Sequence, residues 1–489
     1  MLFLSLFFSH SFAQTTVTVM PGLGTLNQAI DDYVANNGDP DLSVKFELVS
    51  GGFYIATASI ENRFPLRIEA EESARVRPVI RPQGAFRAFR VRDDIVLRGL
   101  YITNEDPVGG IEDQVIRISS DGARVVIDDC HIDKATQSAL RIDNDGNRIF
   151  ITNSVISNIG NLSNPSNGRG IDDRGQDIDT LWVENSTFYN LTARLLRDDG
   201  GDINYLKWNQ TTCVHSGDRS LDMGDALKVE VTNNIFINPA YFGDDERGST
   251  AFQLDSVDIN TQDITISHNN FYADPAFLAV YDGKNDTTVS DSVFPREFIN
   301  GTAQQFIDLA GTNNTMTFNP VPFENAPDAP VAYVANFFQD PGNITNGLDD
   351  GNGGADTSAL GQLPFNFSIP DTSFACSAGT DGQQIGDTNW PCTPTNVSID
   401  RGLSDRIGLA AFPNPFSTQT TLRFDLAAFA QVNISIFNAI GEKISTVYEG
   451  QMNAGTQEVV WETQDVPAGT YFYRMQVDGN ITSGKLIRL

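Results

Sequence analysis

Between residues 95 and 273 the chain repeats one short pattern of apolar and polar positions. Four residues alternate, a polar fifth interrupts them, and an apolar residue returns at the eighth place. Seven copies begin at Ile95, Val125, Ile149, Leu181, Leu206, Val229 and Ile264, with starts 23 to 35 residues apart. Alternation of this kind predicts a short strand with one buried face, then a bend, then a second strand. No single copy can bury its own apolar side, so the copies must stack. Stacking at strand spacing, about 4.8 Å per coil, sets like residues above one another. Ile102, Ile132, Ile156, Phe188, Cys213, Phe236 and Phe271 are expected to form one inward column. Asn153, Asn185 and Asn233 are expected to form a buried amide ladder at the bend.

A second strand set precedes most of these copies, with Ile116, Leu140, Ile171, Leu196, Leu221 and Phe252 as its inward positions. The residue after each then faces out. That outward stripe reads Arg117, Arg141, Asp172, Arg197, Asp222 and Gln253, a mixture of charges suited equally to a charged glycan and to any wetted sheet face. The next inward places hold Ile118, Ile142, Asp173, Asp198, Met223 and Leu254, so two carboxylates stand where aliphatics are expected. Either the strand has ended and these Asp residues make turns, or they gather about a hard cation. Ahead of the repeats, Leu26 to Asn36 has helical periodicity, with Thr25 and Gln28 spaced as a capping box. Such a helix suits the cap of an open first coil.

Lys and Arg number 32 against 63 Asp and Glu, a net charge of −31, which argues against nucleic acid or an anionic membrane as partner. Nine arginines nevertheless fall between Arg63 and Arg98. They read as ion-paired strand positions or as contacts to an anionic glycan. Of the four cysteines, Cys376 and Cys392 bracket a Gly-rich loop and are the expected disulfide. Cys130 and Cys213 lie about three coils apart, roughly 14 Å by strand spacing, too far to bridge.

Residues 1–13 (MLFLSLFFSHSFA) read as a secretory signal without the usual basic start, and no later run is long and apolar enough to span a membrane. The chain then divides into a β-solenoid over 14–375, a closing loop and linker over 376–405, and alternating strands over 406–489 that predict a small β-sandwich.

Three features carry resemblances. The stacked repeats resemble the right-handed parallel β-helix of the pectin-lyase-like superfamily, which implies an all-β fold closed by the N-terminal helix. Within it, the chondroitinase and alginate-lyase type implies polysaccharide as partner and calcium, with a Lys and an Arg on neighbouring coils, as the machinery of elimination. Carried onto this chain, that gives Arg197, Lys207, His215 and Arg219 as catalytic candidates, Arg117, Arg141 and Lys228 as substrate contacts, and Asp172, Asp173, Asp198 and Asp199 as calcium ligands. At the chain end, Pro413, Asn414 and Pro415, then Gly441, Gly455, Gly469 and Lys485, resemble the type A sorting domain of the type IX secretion system. That implies engagement by the outer-membrane type IX machinery, and a protein that is secreted or held on a bacterial surface. Two functions remain: a polysaccharide lyase-like enzyme acting on a uronate-containing glycan, and a non-catalytic glycan-binding or structural surface protein.

Overall fold

In the computed structural model the described residues are 14–242, 250–255, 258, 260–282, 303, 316–349, 363–394, 409–426, 429–438, 442–463, 466–477 and 480–489. The expected signal at 1–13, Gly441 of the sorting motif and most of the 376–405 linker's far end lie outside them. The chain forms two compact units, Met1–Thr393 and Pro394–Leu489.

The first unit is a parallel β-helix made of three sheets of ten, ten and eight strands. In the first sheet Ile95, Val125, Ile149, Leu181, Leu206, Val229 and Ile264 are successive register partners. In the second, Ile102, Ile132, Ile156, Phe188, Cys213, Phe236 and Phe271 are. All seven of the latter belong to one buried core, and the Phe236 and Phe271 rings stack with centroids 5.2 Å apart. The expected column is therefore present, and each coil buries an apolar side that it could not bury alone.

The bend works differently from expectation. Its fifth-place residues Gly99, Asp129, Asn153, Asn185, Gln210, Asn233 and His268 all have φ between 48° and 72°. Left-handed backbone disfavours most L-residues but is tolerated by Gly, Asn and Asp, and this selects the residue type. Asn153 and Asn185 are only half-buried, and Asn153 donates its amide to Asp128 on the preceding coil at 2.8 Å. The inward polar ladder lies one residue later. There Thr211 N–H donates to Asn234 Oδ1 at 2.8 Å, and Asn234 Nδ2 to Asn269 Oδ1 at 2.8 Å.

The helix Thr25–Asn37 places Leu26 and Ile30 in the main core and Tyr33 against Phe46. The capping box does not form. Gly24 occupies the N-cap with φ 71°, and Gln28 instead bonds Asp32 at 2.6 Å. The outer face of the second sheet is covered by the returning chain: Phe365 and Phe367 pack on Val155, Tyr189 and Val214, and Ile369 and Ile385 on Ile235. Cys376 and Cys392 are bonded within that cover, while Cys130 and Cys213 are buried free thiols whose pKa burial pushes up to about 12. Among the described residues no helix is long and apolar enough to cross a membrane.

The second unit consists of antiparallel sheets of three and four strands that bury one core, with Leu422, Phe424 and Trp461 from one and Ile434, Ile436 and Met475 from the other. Asn414 ties the segment before the first strand to the last one. Its Nδ2 donates to Lys485 O and its Oδ1 accepts from Ile487 N–H, both at 2.8 Å.

Candidate functional site

On the third sheet Glu61, Arg90, Arg117, Arg141, Asp172 and Arg197 are register partners from coil to coil, facing outward. Asp222 and Gln253 continue the stripe. The strands shorten along it, from five residues in Gln114–Ile118 and Ser138–Ile142 to two in Leu196–Arg197 and Leu221–Asp222. Side chains end them. Asp173 Oδ1 accepts from Gly175 N–H at 3.1 Å and Asp198 Oδ1 from Gly200 N–H at 2.7 Å, each an Asx turn. The turn reading of these two carboxylates is therefore realised, and it stacks them on adjacent coils beneath the charged face.

Their other oxygens differ from ordinary turn carboxylates. Asp173 is fully buried, and neither Asp173 Oδ2 nor Asp198 Oδ2 has a hydrogen-bond donor among the described residues. Burial is the main cause that pushes Asp173 up to about 8 and raises Asp198, the nearby acids adding to it. At neutral pH this burial favours the protonated form of the Asp173 carboxyl. On the next coil Asp222 is raised to about 6 by burial, although Arg194 and Arg219 pull it down.

Arginines enclose this acidic centre. Asp172 accepts from Arg169 at 3.3 Å and from Arg197 at 3.1 Å, and Arg197 also bonds Asp199. Arg194 reaches Asp218 at 2.9 Å and Asp222 at 2.5 Å. Arg219 touches Asp222 at 3.4 Å, and its Nε is buried without a partner among the described residues.

The candidates drawn from the lyase resemblance do not share one face. Arg197 is on the third sheet and Arg219 beside it, but Lys207 and Lys228 are outward residues of the first sheet. Lys207 bonds Glu184 at 2.8 Å and lies 3.9 Å from the Trp182 ring centre; Lys228 bonds Glu230 at 3.0 Å and lies over Tyr205. His215 is a left-handed corner residue (φ 66°), buried between Pro327 O and Asn238, and burial lowers it to about 4. Spacing of about one coil is shared by all three faces of the helix, so it could not tell them apart. The four Asp residues do not converge as a calcium shell either. Asp172 and Asp199 are taken by arginines, and no group of three or more His, Cys, Asp or Glu is placed to hold a metal among the described residues.

Of the nine clustered arginines, Arg63, Arg67, Arg77, Arg92 and Arg98 are ion-paired, to Glu61, Glu69, Asp128 or Asp129. Arg87 and Arg90 form no ion pair among the described residues, although Glu61 is the register partner of Arg90, and sequence reasoning missed both as part of the stripe. Aligning Phe89 with Ile116 would have placed Arg90 beside Arg117. A Ser157, His131 and Asp133 cluster also escaped notice. Here Asp133 accepts from Ser157 at 2.7 Å while His131 Nδ1 has no partner among the described residues, so the acid does not orient the imidazole as a hydrolytic triad requires.

Residues 410–488 match the family of secretion system C-terminal sorting domains. The chain is thus marked by a type IX sorting tail for export to the cell surface or beyond. A comparison with curated proteins gives no match. Among solved structures the chain is similar to the PL6 family alginate lyase AlyGC, at 17% identity and a TM-score of 0.35, over 53% of this chain and 40% of that one.

Proposed function

We propose that this exported β-helix protein holds an acidic, uronate-containing polysaccharide along the outer face of the third sheet and cleaves it by elimination. The carrying observation is a run of three coils on which carboxyls with raised proton affinity, buried Asp173 with half-buried Asp198 and then buried Asp222, adjoin an arginine, Arg219, whose Nε has no partner among the described residues.

Elimination needs the sugar carboxylate neutralised, the C5 proton removed, and a proton given to the leaving oxygen as the C4–O bond breaks and the C4–C5 double bond forms. Arg219 supplies the charge. Asp222, titrating near 6, is ionised at neutral pH yet more basic than a free carboxylate. Asp198, the half-buried member of the acid pair and raised in proton affinity, gives its proton to the leaving oxygen. Alginate, pectin and chondroitin incubated with the protein should give an unsaturated product absorbing at 235 nm, and no absorbance on any of them overturns the reaction.

The second reading is glycan binding without cleavage. It is favoured by Arg197, which is fully committed to Asp172 and Asp199. Retention of one of these polymers with no product in the same assay would select it.

A further inference from the structure

Upstream of the acidic centre, Arg90, Arg117 and Arg141 stand on three consecutive coils in register, about 4.8 Å apart by strand spacing. Arg87 lies alongside, reaching Gln114 Oε1 at 3.3 Å. One carboxylate, Asp143, serves Arg117 and Arg141 together. Arg87 and Arg90 have no acidic partner among the described residues, and the Nε of each is buried with nothing to donate to. Like charges at this spacing repel, and the field of Arg117 and Arg90 adds to burial in lowering Arg87. Asp143 and Glu61, the latter the register partner of Arg90 and already paired to Arg63 and Arg92, stand beside these four guanidinium groups, which leaves positive charge in excess there in a chain of net charge −31.

We propose that Arg87, Arg90, Arg117 and Arg141 form an oxyanion ladder that takes the carboxylate or sulfate groups of successive sugars in an acidic polysaccharide lying along the coils. This rests on the third sheet being the glycan face and adds what selects the glycan there. An extended pyranose chain advances by about one coil per sugar, so a single arginine column can meet each sugar in turn. Planar guanidinium donors match oxyanions two bonds at a time, which an exposed lysine does not do.

The test compares wild type with the Arg87→Gln, Arg90→Gln double variant by titration calorimetry against alginate, chondroitin sulfate, desulfated chondroitin and neutral dextran. Wild type should bind the acidic polymers and not dextran, and the variant should bind them at least about tenfold more weakly, the loss expected for charge-assisted hydrogen bonds. Affinity for alginate and desulfated chondroitin assigns the ladder to carboxylates; affinity confined to the sulfated polymer assigns it to sulfate. Inorganic sulfate should raise the melting temperature of wild type more than that of the variant, which also shows that the variant is folded. Unchanged affinity in a folded variant overturns the ladder while leaving the proposed glycan face intact. No binding of any acidic polymer by wild type overturns both.

Discussion

Asp173 accepts the backbone N–H of Asp199 at 2.8 Å, and this cross-coil bond stands its carboxyl against that of Asp198. The carboxyl that ends one strand by accepting Gly175 N–H thus also meets an acid of the next coil. Two carboxyls in such contact cannot both ionise without cost, so the fold itself fixes their protonation.

Linkage gives this pair a sign. Asp173 has an ordinary value of 3.8 and is pushed to about 8 in the fold, chiefly by burial. Between those values the folded chain keeps a proton that the unfolded chain has lost, so this contribution to stability is full below the lower value and lost as pH rises through the upper one. The melting temperature of wild type should fall between pH 6 and 9 by several degrees more than that of Asp173→Asn. Parallel pH profiles for the two proteins would show that no shared proton exists.

Gly224 bears on the same pair from the following coil. A Cβ built there would stand 1.7 Å from Asp198 Oδ2, and its φ of 49° disfavours alanine as well. Gly224→Ala must displace the carboxyl or the turn, and should cost roughly 2–3 kcal/mol in urea denaturation. It should also shift the pH profile of the pair. Wild-type stability in this variant would mean that Asp198 points elsewhere.

The first bend offers a gain. Gln210 holds a left-handed backbone (φ 49°) at a place where other coils use Gly, Asp, Asn or His. Gln210→Gly relieves that strain, so the variant should be stabilised by about 0.5–1 kcal/mol, while Gln210→Val should lose about 1–2 kcal/mol. Equal stability of the two variants would contradict the corner geometry.

The solenoid was legible because one period carried it: the apolar column from Ile102 to Phe271 follows from aligning the repeats at their first residue. Its bend residues were legible as a class but not in purpose, since Asn suits both a buried amide stack and a left-handed corner. The site was harder. A period of about one coil recurs on every face, so Lys207 and Arg197 looked like neighbours although separate sheets carry them. Arg87 and Arg90 were hidden because charge pairing depends on contacts across coils, which spacing along the chain does not give.

In the second unit Asn414 bridges the entry segment and the last strand through two hydrogen bonds of 2.8 Å. Asn414→Ala should destabilise that unit by roughly 1–3 kcal/mol while the solenoid melts as before. Hydrogen exchange should show the loss first at Ile487, whose N–H the side chain caps. Unchanged protection there would show that the bridge contributes nothing.

The separation of faces sets apart two classes of substitution that the sequence alone would group together. Lys207 is tied to Glu184 and covers the Trp182 ring on the first sheet, so Lys207→Ala should leave glycan cleavage at 235 nm within about twofold of wild type. Arg219→Gln and Asp222→Asn act where the carboxylate is neutralised and the C5 proton taken. Each should lower kcat at least about a hundredfold, the range for removing one charge-stabilising or proton-transferring group. Asp222→Asn should also abolish the acid limb of the pH–rate profile, which wild type should show near 6, because that carboxyl titrates there. Loss of activity in Lys207→Ala with retention in both others would move the reaction to the first sheet, onto the face where Glu184, Asn209 and Lys207 already meet.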